Sequence, residues 1–275
     1  MTTTAPLCRT LSRPLTRRLN RQASSAPLFE SVWDTRNISP GSTNATSIKI
    51  PTVADGSYDC LVDWSDGTTD HITAWDDPAW DHDYPAGGVK TIRIAGTFVG
   101  LKFGDSDTMT TDRYKILRVT KWGQNGNGLT SANDAFRATP NLISVGVPDL
   151  SGITSLATMF FGSGVNQPIA NWPTAGITNM AYMLGRALNF DQDLSELNIS
   201  NVLSLDGLFF DRVGVNKIST AMLDSIYQGW STRPVQPGLT LDVGDAQYSP
   251  ESLPGRTILA SAPNNWTLID GGVKP

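Results

Sequence analysis

The chain has 275 residues, of which 39% are hydrophobic and 17% charged, and its formal net charge is −5 at pH 7. This balance is ordinary for a folded globular protein and argues against a disordered chain. No run approaches the roughly 18 apolar residues that a membrane span needs, and the N-terminus lacks the apolar core of a secretory signal. We therefore expect a chain that neither spans a membrane nor carries the usual export signal.

The N-terminal segment, residues 1–28, is strongly basic. It holds five arginines and no acidic residue, so removing its charge from the net −5 leaves −10 for the rest of the chain. Leucine and arginine alternate in it, at Leu7, Arg9, Leu11, Arg13, Leu15, Arg17, Leu19 and Arg21. In an extended chain these side chains all point the same way, and Pro14 disfavours an uninterrupted helix. The pattern predicts a docking arm for an apolar, acidic protein surface. A solvated basic tail is the alternative, and five arginines without aromatic residues argue against nucleic acid as the partner.

The two cysteines lie in different contexts. Cys8 belongs to the basic arm and Cys60 to a strand-like run. A lone pair so placed has neither the density of a disulfide framework nor metal-ligand spacing. We predict two free thiols, which suits assembly in a reducing cytoplasm.

Residues 29–112 follow a period of two. The apolar positions Tyr58, Cys60, Val62 and Trp64 predict a strand with one apolar face. Further strands are predicted at residues 47–50, 72–75, 90–94 and 97–103, separated by Asp-Gly and Gly-Gly turn signals. Several short strands at this spacing predict a small β-sandwich.

Two short runs in this region resemble a known domain. Residues 62–68 read Val-Asp-Trp-Ser-Asp-Gly-Thr, residues 82–88 read His-Asp-Tyr-Pro-Ala-Gly-Gly, and an alternating Thr-Ile-Arg-Ile follows at 91–94. This order resembles the PKD-type immunoglobulin-like domain, which typically shows Val-x-Trp-Gly-Asp-Gly-Thr and then His-x-Tyr. Ser65 stands where that family usually has glycine. The resemblance implies an Ig-like sandwich over residues 29–112, with Asp66-Gly67 in a hairpin turn and His82 in a structural role.

A repeat of about 24 residues follows. Residues 129–136, 153–160, 177–184 and 202–209 align at offsets of 24, 24 and 25, and a second set, Trp122, Val147, Trp172 and Leu197, keeps a spacing of 25. Such self-similarity predicts a solenoid in which each unit buries its apolar side against its neighbours. The phase predicts a core that contains Met159, Phe160, Phe161, Met180, Met183, Leu205, Phe209 and Phe210. These units resemble the BspA-type leucine-rich repeats of bacterial surface proteins, and we assign the repeats to residues 113–213.

Residues 214–275 are predicted to form an α/β cap. Ser219 can N-cap a helix whose apolar side chains, from Met222 to Trp230, lie near one face. Strands are predicted at residues 238–243 and 266–269, and a short helix can begin at Ser249-Pro250. A solenoid needs such a terminal unit to cover its last apolar face. The predicted fold class is therefore mainly β, with an extended arm, a small Ig-like sandwich, a short leucine-rich-repeat solenoid and an α/β cap.

No motif in the sequence points to a reaction. Asp63, Ser65 and Asp66 beside Gly67 superficially resemble a calcium loop, but no bidentate Glu follows at the spacing of an EF-hand. The chain has no nucleophile elbow, phosphate loop or dinucleotide fingerprint. A carboxylate pair for glycoside hydrolysis stays open, because the separation that matters is spatial. We predict no enzyme, no cofactor and no metal site, and leave calcium binding by the acidic region 55–83 open.

Two tryptophans are the candidate surface contacts. Trp75 and Trp80 lie among acidic residues in a loop flanked by Gly and Pro. Flat amphipathic rings anchor many interfaces, and binding residues concentrate on loops. The alternative is that one of the two rings packs beneath the loop.

The functional prediction joins the resemblance to the arm. BspA-type repeats imply a bacterial surface adhesin, whereas an outward-facing repeat protein without an export signal suggests a component of a bacteriophage particle. We predict a non-enzymatic virion structural protein that docks onto capsid or tail proteins through residues 1–28. It would be displayed on the particle surface as a capsid decoration (cement) protein or a fibre component. We expect a homo-oligomer that contacts host surface glycans or proteins and does not bind nucleic acid. The alternatives are a cell-surface adhesin and, at lower weight, a tail-associated polysaccharide hydrolase.

Overall fold

The structure is a computed structural model that describes residues 28–54, 56–104, 111–123 and 132–275. Residues 1–27 of the predicted docking arm, which include Cys8 and the alternating leucines and arginines from Leu7 to Arg21, lie outside these residues, so the role of the arm stays a prediction. Within the described residues the chain is mainly β with two α-helices, which confirms the predicted fold class at that level.

Seven strands build the N-terminal part of the chain: β1 (Leu28–Asp34), β2 (Ser47–Lys49), β3 (Asp59–Asp63), β4 (Thr69–Ile72), β5 (Asp81–Asp83), β6 (Val89–Thr97) and β7 (Ile116–Trp122). Five of them form an antiparallel sheet in the order β4-β3-β6-β1-β7, and β2 pairs with β5 in a second sheet. Alternate side chains of β3, Cys60 and Val62, are buried in the core, as the period of two predicts. The predicted strand at 97–103 is wrong, because Gly100 and Gly104 take positive φ and only Leu101 forms a bridge, to Thr52.

Strand β7 lies beyond residue 112, where the sequence predicts the repeats to begin. It pairs with β1 and so completes the large sheet. It also touches the first repeat, since Arg118 forms a parallel bridge with Ser144 and Nε1 of Trp122 donates to the carbonyl of Val145. Residues 116–122 therefore belong to the sheet as well as to the start of the repeats. The remaining domain boundaries stay predictions.

A buried ion pair fixes the loop before β2. The side chains of Asp112 and Lys115 are fully buried, with Nζ of Lys115 3.3 Å from the carboxylate. Nζ also donates to the carbonyls of Thr43, Asn44 and Ser47 and to the hydroxyl of Thr43, at 2.6–3.1 Å. The Asp112 carboxylate accepts from the amides of Thr43 and Lys49. Burial lowers the pKa of Lys115 against the opposing pull of Asp112.

The repeats stack through a regular backbone ladder. The amide of Phe136 donates to Met159, that of Phe160 to Met183 and that of Leu184 to Leu208, at 2.9–3.1 Å. The side chains of one column, Phe136, Phe160, Leu184 and Phe209, are at most 2% exposed. Each turn thus covers the next, as the period predicts. One member of the second set is misplaced: Val147 is exposed, and the neighbouring Pro148, 24 residues before Trp172, is buried instead.

Two positions in each turn adopt a left-handed backbone, with φ between 53° and 67°. The first column holds Asp134, Thr158, Tyr182 and Gly207, and the second, four residues later, holds Ala138, Gly162, Arg186 and Asp211. For L-residues this conformation costs roughly 1–2 kcal/mol each, with Gly exempt and Asn and Asp the most tolerant. The ladder compensates the cost, because the same conformation recurs in register from turn to turn.

The C-terminal part closes the solenoid, as predicted. It contains α1 (Thr220–Trp230), β8 (Thr240–Asp242), α2 (Leu253–Ala260) and β9 (Thr267–Ile269), and β8 pairs with β9 in parallel. The hydroxyl of Ser219 accepts from the amide of Met222 and caps α1. Trp230 is fully buried and donates to the carbonyl of Leu194 in the last repeat. In the part of the chain that the structure describes, no helix is long and apolar enough to cross a membrane.

Candidate functional site

The motif that resembles the PKD-type domain forms a closed hydrogen-bonded cluster. Nε2 of His82 lies 2.8 Å from the Asp66 carboxylate, and its ring stacks on Trp64 at 4.5 Å and meets Tyr84 edge-on. The same carboxylate accepts from the amide and hydroxyl of Thr68, which closes the turn between β3 and β4. Burial alone would raise the pKa of Asp66, but the hydrogen bonds from Thr68 and His82 lower it to about 2. The hydrogen bonds of Asp66 therefore stabilise the turn and hold the His82 ring in place.

The acidic side chains near this turn serve local geometry. Asp63 accepts from the amide of Ser65, and Asp70 accepts from Nε1 of Trp64 at 2.8 Å. His71 pairs with Asp59 at the surface. Across the described residues, no group of three His, Cys, Asp or Glu side chains is placed to hold a metal ion.

The two candidate tryptophans have opposite environments. Trp80 is only 2% exposed, because a short 3-10 helix, Pro78–Trp80, turns its ring onto Tyr58 and Phe98. The prediction that Trp80 is a surface contact is therefore wrong. Trp75 is 40% exposed and remains a candidate. Its carbonyl accepts from the hydroxyl of Thr52 at 2.7 Å, and Nε1 of Trp80 donates to Ala74, so the loop that presents Trp75 is anchored on both sides.

A second surface, which the sequence did not predict, runs across four turns of the solenoid. We call it the ridge, and it consists of Arg137, Phe161, Tyr182, Arg186 and Phe210. The guanidinium of Arg137 lies 4.7 Å from the centre of the Phe161 ring. Phe161 and Phe210 stack at 6.3 Å and 25°, and the Arg186 guanidinium lies 5.8 and 5.9 Å from their centres. Tyr182 packs against Phe210 at 5.6 Å.

Two glycines let the rings of the ridge lie against the backbone. A Cβ on Gly185 would come within 2.8 Å of the Phe161 ring, and a Cβ on Gly207 would collide with the ring of Tyr182. Each ring therefore fills the space above a glycine in the next turn. The rings are consequently held in place before any partner arrives, which lowers the entropy lost on binding.

The charges of the ridge are only partly paired. Nε of Arg186 donates to Asp211 at 2.8 Å, with both side chains about half exposed, and Nη1 of Arg137 lies 3.3 Å from Asp134. The Nη atoms of Arg186 make no hydrogen bond with the described residues. The guanidinium of Arg186 can therefore donate hydrogen bonds to a second carboxylate.

Strain also marks this surface. Tyr182 and Arg186 are the bulkiest residues in the two left-handed columns, where the other turns use Asp, Thr, Ala or Gly. Both are exposed, so neither gains core burial in return. Bulky residues kept at a conformational cost are typical of functional surfaces.

The repeat phase assigned Phe161 and Phe210 to the core, and this is wrong. Phe210 is 45% exposed and Phe161 is half-buried, whereas their neighbours Phe160 and Phe209 are buried. Adjacent residues in one turn of a coil point in different directions, so only one phenylalanine of each doublet can face inward. The recurrence of a Phe-Phe doublet at one phase, at residues 160–161 and 209–210, was the signal that could have revealed the ridge.

A cavity of about 230 Å³ lies between the sheet and the first repeat, lined by Phe29, Phe98 and Phe136 among others. One of its lining residues, Ala132, directly follows residues 124–131, which lie outside the described residues. We assign no site to it.

Fold and site define a class: an antiparallel β-sandwich joined to a short-repeat solenoid with an exposed arginine–aromatic surface. Residues 130–235 match the model of the family DUF285, described as a Mycoplasma protein of unknown function. The match is consistent with repeats of the BspA-like type. No curated protein and no solved structure matches the chain.

Proposed function

We propose that this chain is a non-enzymatic surface-display protein, present in many copies, that uses the ridge to bind protein. The observation that carries the proposal is the ridge itself. Tyr, Phe and Arg are enriched at protein interfaces. In the ridge, Tyr182, Arg186 and Phe210 are exposed, and their side chains pack against the half-buried Phe161 and against one another. The solenoid supplies a stiff support, because each turn is hydrogen-bonded to the next.

We place the protein first on the surface of a bacteriophage particle, docked to capsid or tail proteins by residues 1–28. The charge distribution supports this setting. The arm has five arginines and no acidic residue, whereas the rest of the chain carries a net charge of −10. The arm is therefore suited to binding an acidic surface on another protein. In this setting the sandwich and repeats face outward and contact host surface polymers.

The second setting is the bacterial cell surface, with the protein as an adhesin. The match of residues 130–235 to DUF285 supports it, since BspA-like repeats occur in surface proteins. Both settings share the same biochemical role, which is binding without turnover.

Photo-crosslinking tests the ridge. We would place benzoylphenylalanine at position 210 of the full chain in its source culture, and at position 253 as a matched control, since Phe210 and Leu253 are both 45% exposed. We expect one defined protein adduct from position 210 and none from position 253. Equal, diffuse labelling at both positions contradicts the proposal.

Mass spectrometry decides between the two settings. The chain should be a multi-copy component of purified phage particles from the source culture. Its presence only in the envelope fraction of the cells assigns it to the adhesin setting.

A further inference from the structure

We propose that the partner of the ridge is a second copy of this chain, which inserts Trp75 and Asp76 of its sandwich. The inference rests on the proposed function of the ridge as a protein-docking surface and adds the identity of the occupant.

The first step concerns the charge of the partner group that fits the ridge. Residues 132–213 contain seven acidic residues but only three cations, Arg137, Arg186 and Arg212. Arg212 is buried and donates to the carbonyls of Ala187 and Phe190. The other two both belong to the ridge, so it is the basic spot of an acidic surface. The Nη atoms of Arg186, which make no hydrogen bond with the described residues, favour a carboxylate on the partner.

The second step concerns the rings. The Phe161 ring is half-buried, because the Arg137 guanidinium lies 4.7 Å from its centre and Phe210 stacks on it. The rings that a partner can reach are therefore those of Tyr182 and Phe210, which are exposed. Ring edges carry partial positive charge and pack well against the face of another aromatic ring. The ridge therefore fits a protein side chain with an exposed aromatic face beside a carboxylate.

The chain itself carries such a group. Trp75 is 40% exposed, and Asp76 next to it is exposed and makes no hydrogen bond or ion pair within the described residues. The two anchors of this loop, the hydroxyl of Thr52 on the Trp75 carbonyl and Nε1 of Trp80 on Ala74, fix the backbone. Ridge and loop thus offer complementary ring and charge, and both are preorganised.

The geometry of the assembly follows from the position of the two surfaces. The loop lies between β4 and β5, and the ridge lies on the repeats. A contact between different surfaces of identical chains either forms twice in a two-fold dimer or repeats head-to-tail in a ring or an open chain of copies. Such an arrangement gives a multi-copy protein without a further linker protein.

Charge reversal tests the contact in the full-length protein. Sedimentation velocity over a concentration series should show reversible self-association that weakens as salt rises. Asp76→Arg and Arg186→Glu should each weaken association by about 30-fold, the effect of losing an interface hot spot. The double variant Asp76→Arg/Arg186→Glu should restore it, because each interface again pairs opposite charges. Trp75→Ala should abolish association, and Leu253→Ala, an equally accessible apolar side chain elsewhere, should not change it.

Melting curves of every variant show whether the fold is intact. A monomer at all concentrations, or a double variant that stays as weak as the single ones, overturns the inference. A crosslink from position 210 to a foreign protein also overturns it, while the proposed docking role of the ridge stands. Absence of any adduct at position 210 removes the proposed function as well.

Discussion

Cys60 shows how burial and neighbouring charges control the reactivity of a thiol. The side chain is 1% exposed in β3 and is a free thiol. Burial, together with the charges of Asp59 and Asp77, raises its pKa to about 12. Because the thiolate is the reactive form, we expect Cys60 to resist thiol reagents at neutral pH in the folded protein. In a Cys8→Ser variant, a thiol titration should give almost no reaction until denaturant is added; rapid native labelling would contradict the burial of β3.

Asp66 links the turn between β3 and β4 to pH. Its pKa falls from 3.8 to about 2 in the folded protein. The stabilisation is therefore fully present above about pH 4 and is lost as the pH falls toward 2. Comparison of the melting temperatures of wild type and Asp66→Asn across this range should show a gap at neutral pH that closes in acid. A gap that is constant with pH would mean that the carboxylate charge does not hold Thr68 and His82.

At the scale of the element, the first phenylalanine of each Phe-Phe doublet packs in the core, and the second lies on the ridge. Phe160 is fully buried and stacks on Phe136 at 5.9 Å, whereas Phe210 is half exposed on the ridge. We expect Phe160→Ala to lower the free energy of unfolding by about 3–5 kcal/mol, and Met183→Ala by about 2–5 kcal/mol. Phe210→Ala should change it by less than about 1 kcal/mol, as for other exposed positions. Urea denaturation of the three variants measures the difference, and equal losses would mean that the ridge is part of the core.

The loop before β2 depends on the buried pair. Lys115→Met should lower the free energy of unfolding by about 3–5 kcal/mol, because Asp112 is left as a buried charge without its cation. Lys115→Met combined with Asp112→Asn should cost less than the sum of the single changes, since neither charge is then unpaired. Urea denaturation of the two single variants and the double variant closes this cycle. Additive losses would show that the two residues act independently.

Periodicity explains which elements were predictable. The period of two identified β3 and the 24-residue repeat identified the solenoid, because these patterns follow directly from burial on one face. The N-cap residue Ser219 identified the start of α1. The inward turn of Trp80, the pairing of β7 with β1 and the Asp112–Lys115 pair depend on contacts between distant parts of the chain. No local pattern encodes them. The ridge was missed because the repeat phase placed both rings of each Phe-Phe doublet in the core, although only one ring of a doublet can face inward. The left-handed backbone at Tyr182 and Arg186 is set by the ladder and has no local sequence pattern.

At the scale of the whole molecule, the buried core draws on residues from Phe29 to Trp266 and passes from the sheet through the repeats into the cap. Sandwich, solenoid and cap therefore share one core. The side chains of the ridge are held in place by the turns of the solenoid to which they belong. The strongest contrast in the chain is electrostatic: five arginines in residues 1–28 against a body of −10. The sequence therefore predicts that residues 1–28 attach the protein to its partner and that the rest of the chain folds without them.

Truncation tests that separation. Removal of residues 1–27 should leave a protein that melts cooperatively at a temperature close to that of the full chain, because the described residues from Phe29 onward form a continuous buried core among themselves. The truncated protein should no longer join its particle or surface. For the full chain, raising salt should loosen attachment if the arginines dominate and leave it almost unchanged if the leucines do, since ionic contacts are screened within about 10 Å at 0.1 M salt. Co-sedimentation with the source particles, with and without added salt, measures both effects. Loss of folding on truncation would show that the arm is part of the fold, and retained attachment would assign docking to another surface.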